Sequence, residues 1–395
     1  MLTKLILIYS FSQAGDAAHI QSLEKELSSK FENKEIYSIN ANENKTKLIK
    51  EFKDIVNKND NNIKHQKQTK YLILTVGENG GGALEAISES NLIDSNYYVY
   101  WGMHQYTVKI KNYKELKLDH LQIPESSLNS KEKIESIKEI PNLSKTITVP
   151  NLNPTIKELQ NSYEKWNYNK QFDLKKNYIT VLLPGDAPDS NNKIHFFSKE
   201  SAYNLFKNVQ NIWKKSKSKK TVIVQNGPRT GKYDPKTGHV ICLHEYITGE
   251  SKNNAVDKVS EYFVSLLNKN KIPFVFSNFS FEINGTQRIK HSSFDPILFL
   301  SYKTNSIFIF PGESISLIGQ LPLYLSPDKV IAFSSSSMNE EHKLVLDFAF
   351  KNGYLSKFNE KGDIEYPEKP TKLLKDDAAK VANDIVKGFN QKFKE

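Results

Sequence analysis

Several residue types and segments are almost absent from this 395-residue chain, and each absence excludes a class of protein. The single cysteine, Cys242, rules out an intrachain disulfide and any zinc site built on several thiolates. No apolar run approaches the roughly 18–20 residues that a membrane-spanning helix needs. The apolar opening, Leu5–Tyr9, lacks the length, basic start and cleavage site of a signal peptide. We therefore predict a soluble, cytoplasmic protein, with leaderless secretion into a host cell left open.

The motifs of several common chemistries are missing as well. The chain has neither a G-x-G-x-x-G fingerprint nor a P-loop, which argues against a nicotinamide enzyme and a P-loop NTPase. It has no D-x-D triplet to hold a divalent cation on a diphosphate, no H-E-x-x-H and no G-x-S-x-G elbow. We therefore expect no metal and no resident cofactor.

Arginine is scarce although the chain is basic. The formal net charge is +10, yet only Arg229 and Arg288 are arginines among 55 basic residues. Lysines spread along the chain are typical of a solvated surface, so we predict no specific nucleic-acid partner. Binding to nucleic acid or an anionic surface stays open as an alternative function. Peripheral membrane contact through runs such as Lys214–Lys220 also stays open.

Short apolar segments alternate with segments of helical periodicity in both halves of the chain. This alternation predicts an α/β fold with two Rossmann-like domains, each built on a parallel sheet, facing a ligand cleft. The predicted boundaries are 1–165, 166–370 and, for a C-terminal helix crossing back to the first domain, 371–395. Strands are predicted at 5–9, 35–39, 71–76, 97–101, 178–183, 221–225, 240–243, 273–277, 306–310 and 329–333. Helices are predicted over 17–31, 45–57, from 83, 198–214, 255–268, from 314, and 376–393.

Three turns in the second half place small or hydroxyl residues where a strand passes into a helix. They are Pro184–Ser190, Asn226–Lys232 and Pro311–Ser316. The carboxyl ends of parallel strands meet at one edge, where backbone N–H groups bind anionic or hydroxylated ligands. The candidate donor-binding residues in these turns are Gly185, Asp186, Asn226, Arg229, Thr230, Glu313, Ser314 and Ser316.

Two of these residue types suggest particular contacts. The planar guanidinium of Arg229 suits a phosphate better than a lysine does. Glu313 could accept hydrogen bonds from ribose or sugar hydroxyls while the adjacent helix N-terminus faces a diphosphate. The structural alternative is that Ser314 or Ser316 simply caps that helix.

The first half offers candidates for proton transfer. Asp16 and His19 follow the first strand, and either could act as a general base towards an acceptor hydroxyl. Asp16 could equally be a helix N-cap. His104 is a second candidate base.

Three glycines of the first half are candidates for an acceptor or phosphate loop. They are Gly15, Gly80 and Gly81, the last two in the run 77–82. A simple tight turn is the alternative for that run.

The three turns of the second half resemble motifs of the mitochondrial-fission ELM family, which is similar to metal-independent GT-B glycosyltransferases. The matching positions, within 178–320, hold Gly185, Arg229, Thr230, Ser314 and Ser316. The departures are Glu313 for an aspartate, Pro228 for a first arginine and Leu317 for a methionine. In the first half, only 15–19 is similar to that family's glycine–histidine loop. The resemblance implies a GT-B-like layout, with the nucleotide-sugar donor bound by the second domain and the acceptor by the first.

These observations predict a sugar transfer. The donor would be a nucleotide-diphosphate sugar acting as co-substrate, and the acceptor a glycolipid, a polysaccharide or a protein. Arg229, Thr230 and the helix N-termini at Asp186 and Ser314 would stabilise the diphosphate leaving group. Asp16 or His19 would deprotonate the acceptor if the reaction inverts configuration. The alternative is a catalytically silent binding or adaptor protein, which the lost paired arginine supports.

Overall fold

The chain forms two compact units in a computed structural model. They are Met1–Asn153 with Lys375–Glu395, and Pro154–Leu374. The residues described are 2–11, 14–57, 69–103, 115–128, 131–147, 149–151, 153–188, 193–216, 220–239, 245–246, 256–284, 287–371, 373–374 and 376–394. We predicted a domain boundary at 165/166, whereas the chain passes from the first unit to the second at 153/154. The reason is that helix Ile156–Glu164 packs in the second unit, where Tyr163 lies 5.4 Å from Phe299 between ring centroids.

The first unit is built on one parallel sheet. Its strands are β1 Leu2–Tyr9, β2 Lys34–Asn40, β3 Thr69–Val76, β4 Tyr97–Gly102, β5 His120–Pro124 and β6 Asn142–Thr146. Its helices are α1 Ala14–Ser28, α2 Lys45–Asn57, α3 Gly77–Glu89, α4 Lys131–Ile137 and the C-terminal helix Asp377–Phe393, with a 3₁₀ turn at Glu125–Ser127. The strand order is β2-β1-β3-β4-β5-β6, every pair parallel.

Strand β1 shows that the sheet is covered by apolar side chains on both faces. Leu5 and Leu7 lie in the cluster on one face, and Ile6 and Ile8 lie in the cluster on the other. A strand covered on both faces reads as a continuous apolar run, which is what the sequence has here. The prediction that this segment is a core strand is therefore confirmed.

The C-terminal helix belongs to the first unit. Val381, Ile385 and Phe389 share the core cluster that covers one face of the sheet. Asp384 Oδ2 accepts a 2.7 Å hydrogen bond from Ser144 on β6. The C-terminal helix and helix α1 therefore cover that face of the sheet together.

Gly388 lies where this helix packs closely on the sheet, so a substitution there tests the packing. A β-carbon there would collide with the Tyr98 hydroxyl. Alanine normally stabilises a helix by about 1 kcal/mol relative to glycine, but the collision should reverse the sign in Gly388→Ala. We expect a fall of about 1–3 kcal/mol in the free energy of unfolding, measured by urea titration. Lys387→Ala, one residue away and exposed, is the control and should change stability little.

The second unit has the larger sheet. Its strands are β7 Ile179–Leu182, β8 Ala187–Pro188, β9 Ile194–His195, β10 Val222–Gln225, β11 Glu245–Tyr246, β12 Phe274–Ser277, β13 Ser280–Asn284, β14 Gln287–His291, β15 Ile307–Pro311, β16 Val330–Phe333, β17 Ser356–Phe358 and β18 Ile364–Glu365. Its helices are α5 Ile156–Glu164, α6 Lys199–Lys215, α7 Lys258–Lys269, α8 Phe294–Thr304, α9 Ile315–Gln320 and α10 Glu340–Lys351, with 3₁₀ turns at Asn169–Gln171 and Leu321–Leu323.

The main sheet of this unit has the order β12-β10-β7-β15-β16-β17-β18. Only its last pair, β17 and β18, is antiparallel. Small sheets join β8 to β9, and β11 to β13 and β14. Numbered within the unit, the parallel strands follow the doubly wound order 3-2-1-4-5-6. The predicted α/β class, with two Rossmann-like units, is confirmed.

Some predicted elements differ from the structure. Residues 77–82 are not a loop, because helix α3 begins at Gly77 rather than at Ala83. Helices α8 and α10 were not predicted, and β16 is not the last strand because β17 and β18 follow. The predicted strand at 240–243 lies outside the described residues, as does Cys242.

Candidate functional site

The second unit has a switch point between β7 and β15, the adjacent central strands of its sheet. The chain leaves β7 to form β10 on one side and leaves β15 to form β16 on the other. In open α/β sheets, ligands bind where the strand order reverses in this way, outside the carboxyl ends of the strands. The loops that follow β7, β10, β15 and β16 form this edge, which we call the second-unit edge.

Gly185 and Arg229 bring the first two of these loops into contact. A β-carbon on Gly185 would lie 2.7 Å from Cβ of Arg229 and 3.2 Å from its carbonyl carbon. The backbone N–H of Asp186 donates a 2.9 Å hydrogen bond to the Arg229 carbonyl. There is no room for a side chain at Gly185, so the glycine is needed for the two loops to touch.

Glu313 joins the loop after β15 to its neighbours. Its Oε1 accepts a 2.8 Å hydrogen bond from the Gly185 N–H, and its Oε2 accepts one of 3.1 Å from the Ser335 hydroxyl. Burial raises the pKa of this carboxyl group, while the Gly185 N–H, Arg229 and Ser335 oppose the rise. Both oxygens therefore hold the edge together, which differs from the ribose contact that we predicted for Glu313.

Arg229 acts electrostatically on Glu313 and His342 at this edge. Its side chain is partly exposed, and among the described residues no hydrogen bond or ion pair reaches its guanidinium. A planar donor group left in this state can take a phosphate or carboxylate in a two-pronged geometry.

Asn226 and Thr230 shape the Arg229 loop from within. The Asn226 amide donates to Asp257 and Asn278, and its carbonyl accepts from Phe279 N–H at 2.7 Å. The Thr230 hydroxyl accepts from Gly227 N–H at 2.9 Å. Both residues are buried and hold the loop, whereas we predicted that they contact the donor.

Asp186 has a similar internal role. Its two carboxylate oxygens accept from the N–H groups of Phe197 and Tyr233. Burial raises its pKa, and these N–H donors oppose the rise. The expected helix N-terminus at Asp186 is wrong, because the β8–β9 pair follows and helix α6 begins only at Lys199.

Ser314 and Ser316 stand at the start of α9. Ser314 is the N-cap residue, but its side chain makes no capping hydrogen bond. The two hydroxyl oxygens are 3.4 Å apart, which is long for a hydrogen bond, and Ser316 is exposed. The capping interpretation of these serines is therefore wrong, and their hydroxyls remain able to contact a ligand.

Two residues of the second-unit edge were missed in the sequence. Ser335 lies in a run of four serines after β16, a signal that resembles the other strand-end turns and could have been noticed. His342, the third residue of α10, forms a capping box with Asn339, whose N–H donates to His342 Nδ1 at 3.2 Å. Burial, and secondarily the charges of Arg229 and His195, lower the pKa of His342 to about 4. The neutral ring therefore carries its proton on Nε2, which is a hydrogen-bond donor.

In the first unit, the order of the sheet reverses between β1 and β3. Asp16 lies there, as the third residue of α1 and not its N-cap, so the capping interpretation is wrong. Its carboxylate lies against Gly77, where a β-carbon would be 2.5 Å from Oδ1. Burial raises the pKa of Asp16 to about 7, although a hydrogen bond with the Ser10 backbone lowers it in part. A carboxyl group of this pKa suits proton transfer at neutral pH.

The other candidates of the first unit have different surroundings. His19 is fully buried, with Nε2 3.4 Å from the Tyr100 hydroxyl and its ring against Gly102. Gly15 is exposed in α1. His104 lies outside the described residues.

Gly80 and Gly81 do not form the loop that we predicted for them. They are buried within α3, where a β-carbon on Gly80 would meet the Ile8 carbonyl at 3.2 Å and one on Gly81 would collide with the Trp101 ring. Both glycines therefore serve close packing of the helix on the sheet.

The described residues contain no group of three or more His, Cys, Asp or Glu side chains placed to hold a metal ion. None of the helices in the described ranges is long and apolar enough to cross a membrane. Metal-independent action stays a prediction.

Comparisons with known proteins give similarity in structure only. No protein-family model and no curated protein matches the sequence. Similar solved structures include a UDP-GlcNAc 2-epimerase from Neisseria meningitidis bound to UDP-GlcNAc, at 11% identity and a TM-score of 0.48 over 99% of this chain and all of that one. Another is Medicago truncatula UGT71G1 complexed with UDP-glucose, at 9% identity and a TM-score of 0.43 over all of this chain and 90% of that one. At TM-scores below 0.5, such likeness supports no inference about activity, and the resemblance to the ELM family stays a prediction.

Proposed function

We propose that the protein is a GT-B-like glycosyltransferase that binds a nucleotide-diphosphate sugar at the second-unit edge. The observation that supports this most is the meeting of Gly185, Arg229 and the Glu313–Ser314 turn at the switch point of one parallel sheet. Residues far apart in the chain are held together there by their own hydrogen bonds. The Arg229 guanidinium acts on Glu313 and His342 at this edge and is unbonded among the described residues, so it can take a phosphate.

The chemistry proposed for this edge is stabilisation of a leaving group. As the bond between the anomeric carbon and the phosphate oxygen breaks, negative charge develops on the diphosphate. Arg229 would supply positive charge, and the neutral Nε2–H of His342 would supply a hydrogen-bond donor. Because both groups are in position before the bond breaks, they would lower the barrier. No metal ion has a part in this proposal.

Asp16 is the proposed base for the acceptor. An acceptor hydroxyl would bind at the switch point of the first unit and give its proton to the Asp16 carboxylate, which makes its oxygen a nucleophile. A base with a pKa of about 7 is about half ionised at neutral pH, so it can accept a proton without being permanently charged.

Calorimetric titration with UDP, GDP, CDP and ADP tests the donor site. We expect one of them to bind and Arg229→Ala to weaken that binding about 10- to 100-fold, as for a charged hydrogen bond. Arg229→Lys should restore only part of the loss, because a lysine cannot form the two-pronged contact. Lys236→Ala removes an exposed charge from the same segment and is the control. No binding by a folded sample to any of the four would end the proposal.

A catalytically silent binding protein is the second candidate. The observation that favours it is the burial of both candidate bases, with Asp16 at 2% and His19 at 0% exposure. Nucleotide binding without turnover, unchanged in Asp16→Ala/His19→Ala, would favour this candidate over the enzyme.

A further inference from the structure

Glu313 is a buried carboxylate at the point where the loops of the second-unit edge meet. It is 2% exposed, and its two oxygens accept from the Gly185 N–H and the Ser335 hydroxyl. Because the single hydrogen of the Ser335 hydroxyl points at Glu313, the 2.6 Å contact between Ser335 and Ser337 must be donated by Ser337. This chain of donors is arranged to support a negative charge on Glu313.

Few charged groups act on Glu313 among the described residues. Arg229 is the one charged side chain of that part of the chain that shifts the pKa of Glu313, and it acts from the loop after β10. Other titratable groups on these loops include Asp186, whose oxygens accept from Phe197 and Tyr233, and His342 near the start of α10. The loop after β10 also carries Lys232, Tyr233, Asp234, Lys236 and His239, and none of these shifts the pKa of Glu313. Burial works against the ionised form of Glu313, so its charge depends on these few stabilising contacts.

We propose that Glu313 takes up a proton when a diphosphate group binds beside Arg229, and that its charge limits how tightly that group is held. This inference rests on the proposed function. Arg229 and Glu313 both lie against Gly185, so a phosphate in the crevice would bring a second negative charge close to a buried first one. Two neighbouring anions in a site of low dielectric cannot both remain ionised at little cost. The proton comes from solvent and returns to it when the anion leaves.

The role assigned to Glu313 is that of a positioning residue. It fixes Gly185 through one oxygen and modulates the attraction of Arg229 for phosphate through its charge. The expected consequence is a diphosphate that binds more weakly, and leaves more readily, as pH rises through the range in which Glu313 ionises.

Calorimetry measures the proton directly. We would titrate UDP-glucose and GDP-mannose, whose diphosphate bridges do not themselves titrate near neutral pH, into the protein at pH 6, 7 and 8. Repeating each titration in HEPES and in Tris separates proton uptake from the heat of binding. We expect a fraction of a proton to be taken up per site and the affinity to fall as pH rises.

Glu313→Gln is the decisive variant because it keeps the size and the bonds of the side chain. Its amide oxygen can accept from Gly185 N–H, and its amide can donate to Ser335, which then donates to Ser337. We expect no proton uptake, affinity that varies little with pH, and binding at pH 8 about tenfold tighter than in the wild type. A purely structural role would give none of the three.

Ser335→Ala gives an independent check that leaves the carboxylate in place. Loss of the hydroxyl donor should favour protonation of Glu313, so the fall in affinity should begin at a higher pH than in the wild type. His342 can also gain a proton on anion binding, but its pKa of about 4 places that event well below the pH range used.

Binding without proton uptake, or uptake that persists in Glu313→Gln, would overturn this inference and leave the proposed function standing. If neither nucleotide sugar bound to the folded wild type, the inference and the proposed function would both be rejected. Proton uptake that Glu313→Gln abolishes supports both.

Discussion

Asp16→Asn is expected to stabilise the protein at pH 8 by up to about 4 kcal/mol while abolishing sugar transfer. The folded state raises the pKa of Asp16 from 3.8 to about 7, so the ionised form is disfavoured by burial. The stability associated with the protonated carboxyl group is complete below pH 3.8 and is lost as pH rises through 7. Asparagine, being neutral and of similar shape, does not undergo this loss.

The stabilisation should therefore depend on pH. Urea unfolding at pH 4, 6 and 8 should give a small difference between Asp16→Asn and the wild type at pH 4 and the largest at pH 8. Glu26→Gln, on the same helix and partly exposed, is the matched control and should give no such trend. A difference of equal size at all three values would mean that the ionisation of Asp16 does not explain it.

The effect on transfer should have the opposite sign. Loss of a positioned general base lowers a rate by about 10²- to 10⁴-fold, so the more stable variant should be the inactive one. An Asp16→Asn protein that transferred sugar at the wild-type rate would rule out Asp16 as the base, whatever its stability.

Gly185→Ala is expected to weaken nucleotide binding by about 100-fold and to destabilise the second unit by about 1–3 kcal/mol. The new methyl group would lie 2.7 Å from Cβ of Arg229, so the loops after β7 and β10 must separate. Their separation breaks the hydrogen bond from Gly185 to Glu313 and the one from Asp186 to Arg229. The variant therefore loses the hydrogen bond that holds Glu313 and, at the same time, shifts the loop that carries Arg229.

Gly227→Ala is the matched control for this variant. Gly227 lies in the Arg229 loop, but a β-carbon there meets only the Thr230 hydroxyl, at 3.8 Å. Nucleotide titration and urea unfolding should therefore leave Gly227→Ala close to the wild type. Equal effects of the two variants would indicate a general cost of losing glycine rather than the contact between the loops.

The sequence predicted the sheets better than it predicted the roles of the polar residues. Apolar runs such as 5–9 and 71–76 are strands because they are covered on both faces, and that environment leaves a clear local pattern. The glycine run at 77–82 predicts a turn because it lies between an apolar strand and a segment of helical periodicity. Its conformation is instead decided by packing, since Gly80 and Gly81 lie where α3 presses on β1 and on Trp101.

The candidate site could be located from sequence, but its internal organisation could not. Strand-end turns are visible locally, and the topology brings Gly185 and Arg229 together as expected. Whether a polar side chain in such a turn faces a ligand or another loop depends on partners that are distant in the chain. Glu313 and Gly185 are 128 residues apart, and Asn226 bonds to residue 279, 53 residues away. No local pattern carries that information.

The docking of the C-terminal helix has a consequence for biosynthesis. Most of the first unit is synthesised before the second unit, yet Val381, Ile385 and Phe389 complete one of its two apolar layers. During translation, residues 154–374 can collapse as soon as they emerge, whereas the earlier segment must wait with one face of its sheet covered only in part, by helix α1. Chaperone demand should therefore fall on residues 1–153, and should end only when residues 377–393 have emerged.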